Sequence, residues 1–389
     1  MKPKTYIATP PPIRSSLSLQ MKERFEKHAK RRNIISYIYI ILYFSYLSWR
    51  FTIINTDSLT LSLLYFFADF LSFILGMTII ATSRKYNHHT PPIPDSGLSV
   101  DVFLPTYKEP IEVIRKTVLA AKNIRYPHNT FILDDGRRDE VKSLAIELNI
   151  KYLSRPKNID AKAGNLNFGL SHSNADYVMV FDADHIAMPN ALDVTLGFFK
   201  NPLIAMVQTA QDYYNIDAFQ YMNSKSGKIW NDQSFFFYIA EPCRDYHNGA
   251  SCIGTGVMYR RSAIDKIGGI PADTVTEDVQ TSLKMQKAGM QVLYLNEPVS
   301  YGIAEAELGE YYKTRRRWAH GNLHSLCKEK ILTCEGLTLK QRISYLSLGL
   351  VYLEGWQQLI LFMIPIGSLI FGLQPFEISI FNFTTIQNQ

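Results

Sequence analysis

The sequence predicts an α/β domain with a largely parallel sheet, placed between apolar helices that are long enough to cross a membrane. Two observations support this fold class. Strand-like and helix-like patterns alternate between about residues 98 and 300, which is typical of an α/β layered fold. Nearly uncharged apolar blocks flank this region at 34–54, 59–81 and 345–373. Each is long enough to cross a bilayer, which takes about 20 apolar residues.

The distribution of basic residues predicts the orientation of the apolar blocks. Basic residues precede the first block at 24–32 and follow the second at Arg84 and Lys85, whereas the connector around Asp57 carries none. We therefore expect a multi-pass protein of the inner membrane, with its N-terminus and the region after residue 84 in the cytoplasm. Asp69 lies inside the second block and should face protein, where a polar packing contact is favoured over a proton relay.

The net charge of +6 does not indicate a nucleic-acid-binding protein, because much of it lies next to the apolar blocks. That location favours anionic lipid headgroups as the partner. The basic segment 21–32 is predicted to form a helix on the membrane surface. The four cysteines include no C-x-x-C pair, so reduced structural thiols are expected.

The predicted organisation has six parts. A linker at 90–97 that contains proline and glycine separates the membrane hairpin from the α/β domain. They are a basic cytoplasmic tail, a membrane hairpin, the α/β domain, membrane-interface helices, a third membrane helix and a C-terminal tail: 1–33, 34–84, 98–300, 301–343, 344–373 and 374–389.

Within the α/β domain the pattern predicts four strands, each followed by a helix. The strands are 99–104, 130–133, 151–154 and 177–181, and the helices are 111–122, 138–148, 161–171 and 190–199. Such sheets bind ligands at the carboxyl ends of their strands, and the polar clusters of this sequence fall there.

An acidic cluster follows the fourth strand. Asp182 and Asp184 are two residues apart, and alternate residues of an extended chain point the same way, so the two carboxylates can converge on one cation. Oxygen ligands suit Mg²⁺ or Mn²⁺, and the adjacent His185 slightly favours Mn²⁺. These ions bind substrate phosphates, so a diphosphate is the implied substrate. The alternative for an isolated D-x-D is a pair of loop-capping aspartates.

Two further polar clusters follow the first two strands. Thr106, Tyr107 and Glu109 end the first strand, and Asp134 and Asp135 end the second. No G-x-G-x-x-G motif and no Walker lysine occur in the sequence, so a nucleotide would be held by these groups and a metal. Each cluster alone is an ordinary turn, but three acidic turns at successive strand ends favour a binding site.

Two helix starts carry further candidate residues. Lys162 lies in the first turn of a predicted helix, where the helix dipole favours an anion, and a bound phosphate would remove this conflict. A solvated lysine is the alternative. Thr276, Glu277 and Asp278 precede the amphipathic helix 279–288, and Thr276 could cap it. Asp278 is the candidate general base, which must be ionised and within reach of a hydroxyl.

The segment K-T-R-R-R-W at 313–318 lies on a predicted helix, 305–327. Two interpretations stay open at this point. The segment could anchor a membrane-proximal helix at the interface. Alternatively, Arg317 could contact a diphosphate leaving group while Trp318 stacks on a sugar ring.

As an ordered set, these motifs resemble the processive inverting family 2 glycosyltransferases, and among them the catalytic subunit of bacterial cellulose synthase. The resemblance covers about residues 30–373 and implies a cytoplasmic GT-A domain, which is Rossmann-like, that uses a UDP-sugar. The polymer would pass through a channel formed by the same polypeptide. The motifs are P-T-Y at 105–107, D-D-G at 134–136, A-K-A-G-N-L-N at 161–167, F-D-A-D-H at 181–185, V-Q-T at 207–209, T-E-D at 276–278 and R-W at 317–318.

The resemblance implies roles for the candidate residues. The donor-binding residues would be Thr106, Tyr107, Glu109, Asp134, Asp135, Lys162, Asp182 and Arg317. The metal ligands would be Asp182, Asp184 and His185. The acceptor-binding residues would be Trp318, Gly254 and Thr255. The catalytic residues would be Asp278, as the base that deprotonates the acceptor hydroxyl, and Glu277.

Two departures from the family pattern leave the product open. Thr314 stands where the family motif Q-x-x-R-W has glutamine, and S-C-I-G-T at 251–255 stands where cellulose synthases carry F-F-C-G-S. We expect a membrane-embedded β-glycan synthase with UDP-glucose as the favoured donor. The alternatives are a non-processive transferase that acts on a lipid or short acceptor, and a catalytically weak subunit of a synthase complex.

The expected partners are the UDP-sugar, the growing glycan chain and the lipid membrane, and no nucleic acid. Three membrane helices cannot by themselves enclose a polysaccharide channel. We therefore expect the chain to be the front part of a longer protein, truncated in the tail 374–389, or to be completed by further synthase subunits or by copies of itself.

Overall fold

The computed structural model describes residues 17–218, 220 and 230–377. The first 16 residues of the predicted N-terminal tail and residues 378–389 of the predicted C-terminal tail lie outside this range. The chain forms two compact units. Of the described residues, the larger unit takes those within 17–26 and 85–345, and the smaller takes those within 27–84 and 346–377.

The described helices begin and end as follows. In chain order they are α1 Leu17–Lys27, α2 Ala29–Thr52, α3 Leu59–Thr82, α4 Ile111–Lys122, α5 Asp139–Glu147, α6 Ala161–Ser171, α7 Ala191–Thr195, α8 Glu241–Asp245, α9 Arg261–Lys266, α10 Glu277–Lys287, α11 Leu308–Lys328, α12 Leu339–Leu350 and α13 Glu354–Phe371. A 3-10 helix, Leu196–Lys200, directly continues α7, so the predicted helix at 190–199 is half α-helical.

The larger unit is built on an eight-stranded sheet with the strand order β3-β2-β1-β4-β7-β6-β8-β5. The strands are β1 Val100–Thr106, β2 Asn129–Asp134, β3 Lys151–Leu153, β4 Tyr177–Val180, β5 Ile186–Ala187, β6 Ile204–Tyr213, β7 Val257–Arg260 and β8 Gln291–Gly302. The four predicted strands and their helices are all present. Strand β7 runs antiparallel to β4 and β6, and β5 runs antiparallel to β8, so the half of the sheet that was not predicted is mixed.

The core of the larger unit lies on both faces of this sheet. In β1, Val102 and Leu104 join one apolar cluster, whereas Phe103 between them joins the other. Alternate residues of a strand point to opposite faces, so an almost uninterrupted apolar strand fills both layers. Each such side chain contributes about 1.5–3 kcal/mol when fully buried. The core therefore holds the carboxyl ends of the strands in a constant position.

The N-terminal basic segment differs from the prediction. Helix α1 ends at Lys27, and Met21 is buried in the second apolar cluster, to which Tyr86 also belongs. The ring of Phe25 contacts that of Tyr86, with centroids 5.2 Å apart. The apolar side of α1 therefore packs on the α/β domain. The predicted helix bounds 21–32 are wrong, because α1 ends at Lys27, and a position on the membrane surface stays a prediction.

Helices before and after the α/β domain in the sequence are long and apolar enough to cross a membrane. Among the described residues they are Ala29–Thr52, Leu59–Thr82 and Leu339–Phe371. Asp69 is buried, and its Oδ2 atom accepts hydrogen bonds from Arg50 Nε at 3.1 Å and from the Tyr46 hydroxyl at 2.9 Å. The expected packing contact of Asp69 is thus confirmed, with its charge neutralised by Arg50. The membrane orientation stays a prediction.

Candidate functional site

The turn after β2 is organised by Asp134, which has no exposed surface. Its carboxylate accepts hydrogen bonds from the backbone N–H groups of Gly136, at 3.0 Å, and Arg138, at 2.7 Å. The Arg138 guanidinium also binds Asp134, at 3.1 Å, and donates to Thr106 Oγ1 at 2.8 Å. Asp134 therefore holds Arg138 against the end of β1. The contact of Asp134 with the sugar donor stays a prediction, and the complete burial of this side chain does not support such a contact.

The end of β1 is closed by Glu109. Its Oε2 atom accepts hydrogen bonds from Thr106 Oγ1 at 2.6 Å and from the backbone N–H of Tyr107 at 2.7 Å. Thr106 is buried by these contacts, whereas the ring of Tyr107 is exposed. Of these three residues predicted to bind the sugar donor, Tyr107 is the one whose side chain is exposed and can meet a ligand.

Asp135 forms a buried, two-point ion pair with Arg155. Arg155 Nε lies 2.5 Å from Oδ1, and Nη2 lies 2.8 Å from Oδ2. Arg155 also donates to the carbonyl of Ala161, at 2.7 Å, where the backbone enters α6 with positive φ angles of 62° at Asp160 and 43° at Ala161. The pair therefore stabilises an uncommon backbone conformation just before Lys162. The predicted contact of Asp135 with uridine stays a prediction.

The side chain of Lys162 connects three of the predicted site residues. Its Nζ atom donates to Asp182 Oδ1 at 2.5 Å and to the carbonyl of Gly254 at 2.9 Å, and it lies 4.0 Å from Glu277 Oε1. Burial opposes the charge of Lys162, but Asp182 and Glu277 outweigh it and raise the pKa of Lys162 above its ordinary value. Lys162 therefore stays cationic, as a residue that binds a diphosphate must.

Asp278, in the first turn of α10, also lies close to Gly254. Gly254 has a φ of +85°, and a Cβ atom on it would lie 2.9 Å from Asp278 Oδ2. Glycine is needed here both for this backbone conformation and for the close approach. Burial, and then the charge of Glu277, raise the pKa of Asp278 to about 7, although Lys162 acts in the opposite direction. A carboxylate with this pKa is suited to act as a general base near neutral pH.

The acidic pair offers suitable oxygen donors for a divalent cation. The side chains of Asp182 and Asp184 are 35% and 40% exposed, so both can reach a ligand. Burial would raise the pKa of Asp184, but the hydrogen bond with His185 outweighs it and lowers this pKa below its usual range. Two carboxylates fit Mg²⁺ or Mn²⁺, which bind through one or two carboxylates together with phosphates.

His185 is held differently from the two carboxylates. It is buried, its Nδ1 lies 2.8 Å from Asp184 Oδ1, and its Nε2 lies 2.9 Å from Gln211 Nε2. This arrangement fits a proton on Nδ1 and an accepting Nε2. Among the described residues no three His, Cys, Asp or Glu side chains are grouped as a metal site. The three-residue ligand set that includes His185 stays a prediction.

The helix with the T-E-D motif is tied to α11. Thr276 occupies the N-cap position of α10, as predicted, although its hydroxyl makes no capping hydrogen bond to the helix. It lies instead 3.1 Å from Ser325 Oγ of α11, and a Cβ atom on Gly321 would lie 2.4 Å from the Thr276 methyl group. The two helices approach so closely here that glycine is required. Their junction sets the position of the R-W motif relative to Asp278.

The R-W motif lies on α11, and a neighbouring arginine contacts its tryptophan. Arg317 is exposed and Trp318 is half-buried. The guanidinium of Arg315 lies 4.5 Å from the centre of the Trp318 ring, and its Nη2 lies 2.6 Å from Asp232 Oδ2. In a run of three arginines the sequence contains no signal that one of them stacks on the tryptophan. Sequence analysis therefore singled out Arg317 and missed Arg315.

Sequence analysis assigned no role to three further residues. Arg138 and Arg155 hold the aspartates at and just after the end of β2, and Gln208, within β6, contacts Ile253 and Thr255. Both arginines follow a strand closely, so their position at the ligand-binding edge of the sheet was an available signal. The role of Gln208 depends on a contact between distant parts of the chain, which no local pattern reveals.

The sheet and the polar groups at its strand ends define a glycosyltransferase domain of the GT-A type. Residues 101–268 match the family model described as glycosyl transferase family 2. Residues 101–268 therefore form a domain of this family. A mannosyltransferase from Pyrobaculum calidifontis has the same fold, with a TM-score of 0.61 and 16% identity over 82% of this chain and 87% of that one.

The chain is also similar in sequence to bacterial cellulose synthases. Cellulose synthase 1 of Komagataeibacter xylinus is 34% identical over 339 residues, which is 84% of this chain and 22% of that protein. The UDP-forming cellulose synthase catalytic subunit of Xanthomonas axonopodis pv. citri (strain 306) is 37% identical over 266 residues, or 67% of this chain and 36% of that protein. The chain thus spans well under half the length of these relatives.

Proposed function

We propose that the chain transfers a sugar from a UDP-sugar to an acceptor hydroxyl, with inversion at the anomeric carbon, and thereby extends a β-glycan. The observation that carries this proposal is that Lys162 and Asp278 meet at Gly254, while Lys162 also binds Asp182. It unites a cation, a metal-binding carboxylate and a base of raised pKa at one point. The similarity to UDP-forming cellulose synthase favours UDP-glucose as the donor and a cellulose-like glucan as the product.

Asp278 acts as the base in this reaction. It accepts the proton of the acceptor hydroxyl while the hydroxyl oxygen forms a bond to the anomeric carbon. The bond between that carbon and the diphosphate oxygen breaks on the opposite side, and its electron pair leaves with UDP. Burial, and then the charge of Glu277, keep the pKa of Asp278 high enough for it to receive a proton near pH 7.

Lys162 and the acidic pair act on the leaving group. Lys162 exchanges its contact with Asp182 for the diphosphate oxygens, and a hydrogen bond between charged groups is stronger than a neutral one. Mg²⁺ or Mn²⁺, held by Asp182 and Asp184 with His185 as the predicted third ligand, would neutralise the charge of the departing diphosphate. The solved structure of the mannosyltransferase of similar fold is a complex with GDP-Man and Mn²⁺.

Trp318 is the proposed stacking platform for the terminal sugar, and Arg317 the group that contacts the departing UDP. A single-sugar transfer to a lipid or short acceptor is the second candidate. It is favoured by Ser251 and Cys252, which replace two phenylalanines of cellulose synthases and are both buried. Passage of a long product through the membrane would require further helices, subunits or copies of the chain.

The test is radiolabel incorporation by membranes that contain the chain. UDP-glucose, UDP-N-acetylglucosamine and UDP-glucuronate are offered separately with Mg²⁺ or Mn²⁺, and products are sized before digestion with linkage-specific glycanases. A long product from UDP-glucose that requires the metal is expected. A single-sugar product would support the second candidate, turnover unaffected by EDTA would contradict the metal, and no transfer from any donor would contradict the enzymatic function.

A further inference from the structure

We propose that Gln208, from the V-Q-T motif on β6, is a positioning residue that aligns the base with the donor groups. It acts through residues 251–256, which we call the acceptor loop. The inference rests on the proposed function, because it concerns the same site. It assigns a role to a motif that the mechanism above does not use.

Gln208 is fully buried and uses both ends of its amide on the acceptor loop. Its Oε1 atom accepts a hydrogen bond from the backbone N–H of Ile253 at 2.8 Å. Its Nε2 group donates to the carbonyl of Thr255 at 2.8 Å and to that of Thr209 at 3.0 Å. The side chain therefore holds the loop on both sides of Gly254.

Two other buried side chains hold the ends of the acceptor loop. At the start, the Glu241 carboxylate accepts hydrogen bonds from Ser251 N at 2.8 Å and Ser251 Oγ at 3.0 Å. At the end, Thr209 Oγ1 donates to the carbonyl of Gly256 at 2.7 Å. Glu241 and Thr209 are almost completely buried. The loop is thus fixed by polar contacts along its whole length.

The acceptor loop contacts each of the groups that the reaction uses. The carbonyl of Gly254 receives the hydrogen bond of Lys162, and its Cα lies against the Asp278 carboxylate. Thr255 Oγ1 accepts a hydrogen bond from the backbone N–H of Asp182 at 3.1 Å. A shift of the loop would therefore move the base relative to the diphosphate-binding groups. Alignment to within about 1 Å is what transfer to an acceptor requires.

Packing alone does not explain a glutamine at this position. An apolar side chain of similar volume would fill the same space without a polar group to satisfy. Glutamine offers one donor end and one acceptor end in a plane, and the loop presents a carbonyl and an N–H group on either side of Gly254. The side chain matches the loop conformation that keeps Gly254 between Lys162 and Asp278.

The test compares Gln208→Met with Gln341→Met in the full chain in membranes. Gln341 is a suitable control because it is also buried and binds two backbone groups, Asn248 O and Thr338 N, outside the acceptor loop. Sugar transfer, hydrolysis of the UDP-sugar by water, UDP binding and thermal unfolding are measured for each. We expect Gln208→Met to lower the ratio of transfer to hydrolysis at least about tenfold, with UDP affinity changed less than about threefold.

The other outcomes are equally decisive. If Gln208→Met reduces transfer and hydrolysis equally, or leaves their ratio at the level of Gln341→Met, Gln208 is merely structural. If Gln208→Met does not fold, Thr209→Val is measured instead, because it removes one hydrogen bond to the loop with little change in shape, and an unchanged ratio overturns the inference. A native chain that neither binds nor turns over any UDP-sugar would instead refute the proposed function.

Discussion

The Nζ atom of Lys162 lies 2.5 Å from Oδ1 of Asp182, a carboxylate that the proposed mechanism also assigns to a metal ion. The ammonium group and the ion therefore compete for the same oxygen. We expect Lys162→Met to bind Mn²⁺ more tightly when no nucleotide is present, and to bind UDP about tenfold more weakly, because a charge-assisted hydrogen bond is lost. Titration calorimetry with Mn²⁺ alone and with UDP alone measures both effects. Lys157→Met, at an exposed position, is the control. Tighter or unchanged binding of UDP would contradict the role of Lys162.

Asp278→Asn tests the base directly. The amide cannot accept the proton of the acceptor hydroxyl, so we expect transfer to fall by about 10²–10⁴-fold. Binding of UDP should change little, because the charge of Lys162 remains. Asp273→Asn is the matched control, since this carboxylate precedes the same helix but is exposed. Equal rates of UDP release for the native chain and Asp278→Asn would show that the base is a different residue.

The raised pKa of Asp278 predicts the pH dependence of transfer. The group has a pKa of about 7 in the folded chain, against an ordinary value of 3.8. The base is protonated and inactive below this pH, so kcat/KM should rise with pH and level off above about pH 8. The same shift means that the folded state binds more protons, so this group's contribution to stability is lost as pH rises from about 4 to 7. A rate that is constant between about pH 5.5 and 8 would exclude Asp278 as the titrating base.

Arg315 and Trp318 should act together on the length of the product. Arg315→Met removes the guanidinium from the tryptophan ring, a contact worth about 0.5–2 kcal/mol. We expect shorter products from Arg315→Met and from Trp318→Ala, and less than the sum of both effects in the double variant. Arg316→Met, at an exposed position, should leave the product length unchanged. If Trp318→Ala makes products of normal length, its ring serves as an interfacial anchor and not as a sugar platform.

Asp135→Asn should destabilise the larger unit. Arg155 would remain buried without its carboxylate, and breaking a buried ion pair costs about 3–5 kcal/mol of unfolding free energy. Glu147→Gln is the control, because its pair with Arg115 is exposed at the surface and such pairs contribute at most about 1 kcal/mol. Denaturant unfolding of the two variants measures the difference. Equal unfolding free energies would mean that the turn before α6 does not depend on this pair.

The sequence by itself determined the alternation of strands and helices in the first half of the domain. The bounds of α4, Ile111–Lys122, and α6, Ala161–Ser171, agree with the prediction to the residue. Their hydrophobic periodicity, proline and turn residues act within a few positions of the chain, so a single segment carries the whole signal. The polar clusters at the strand ends could also be predicted from the sequence. Parallel strands bring their carboxyl ends to one edge of the sheet, so residues that follow each strand are expected to lie close together.

Only the tertiary structure decided which groups these polar residues meet. The antiparallel insertion of β7 between β4 and β6 places the acceptor loop beside Asp182 and Asp278. Gln208 lies 47 positions before the carbonyl of Thr255 that it binds. Pairings at such separations depend on the packing of whole strands, and local periodicity contains no information about them. The residue types at the site follow from the sequence, whereas their partners follow from the fold.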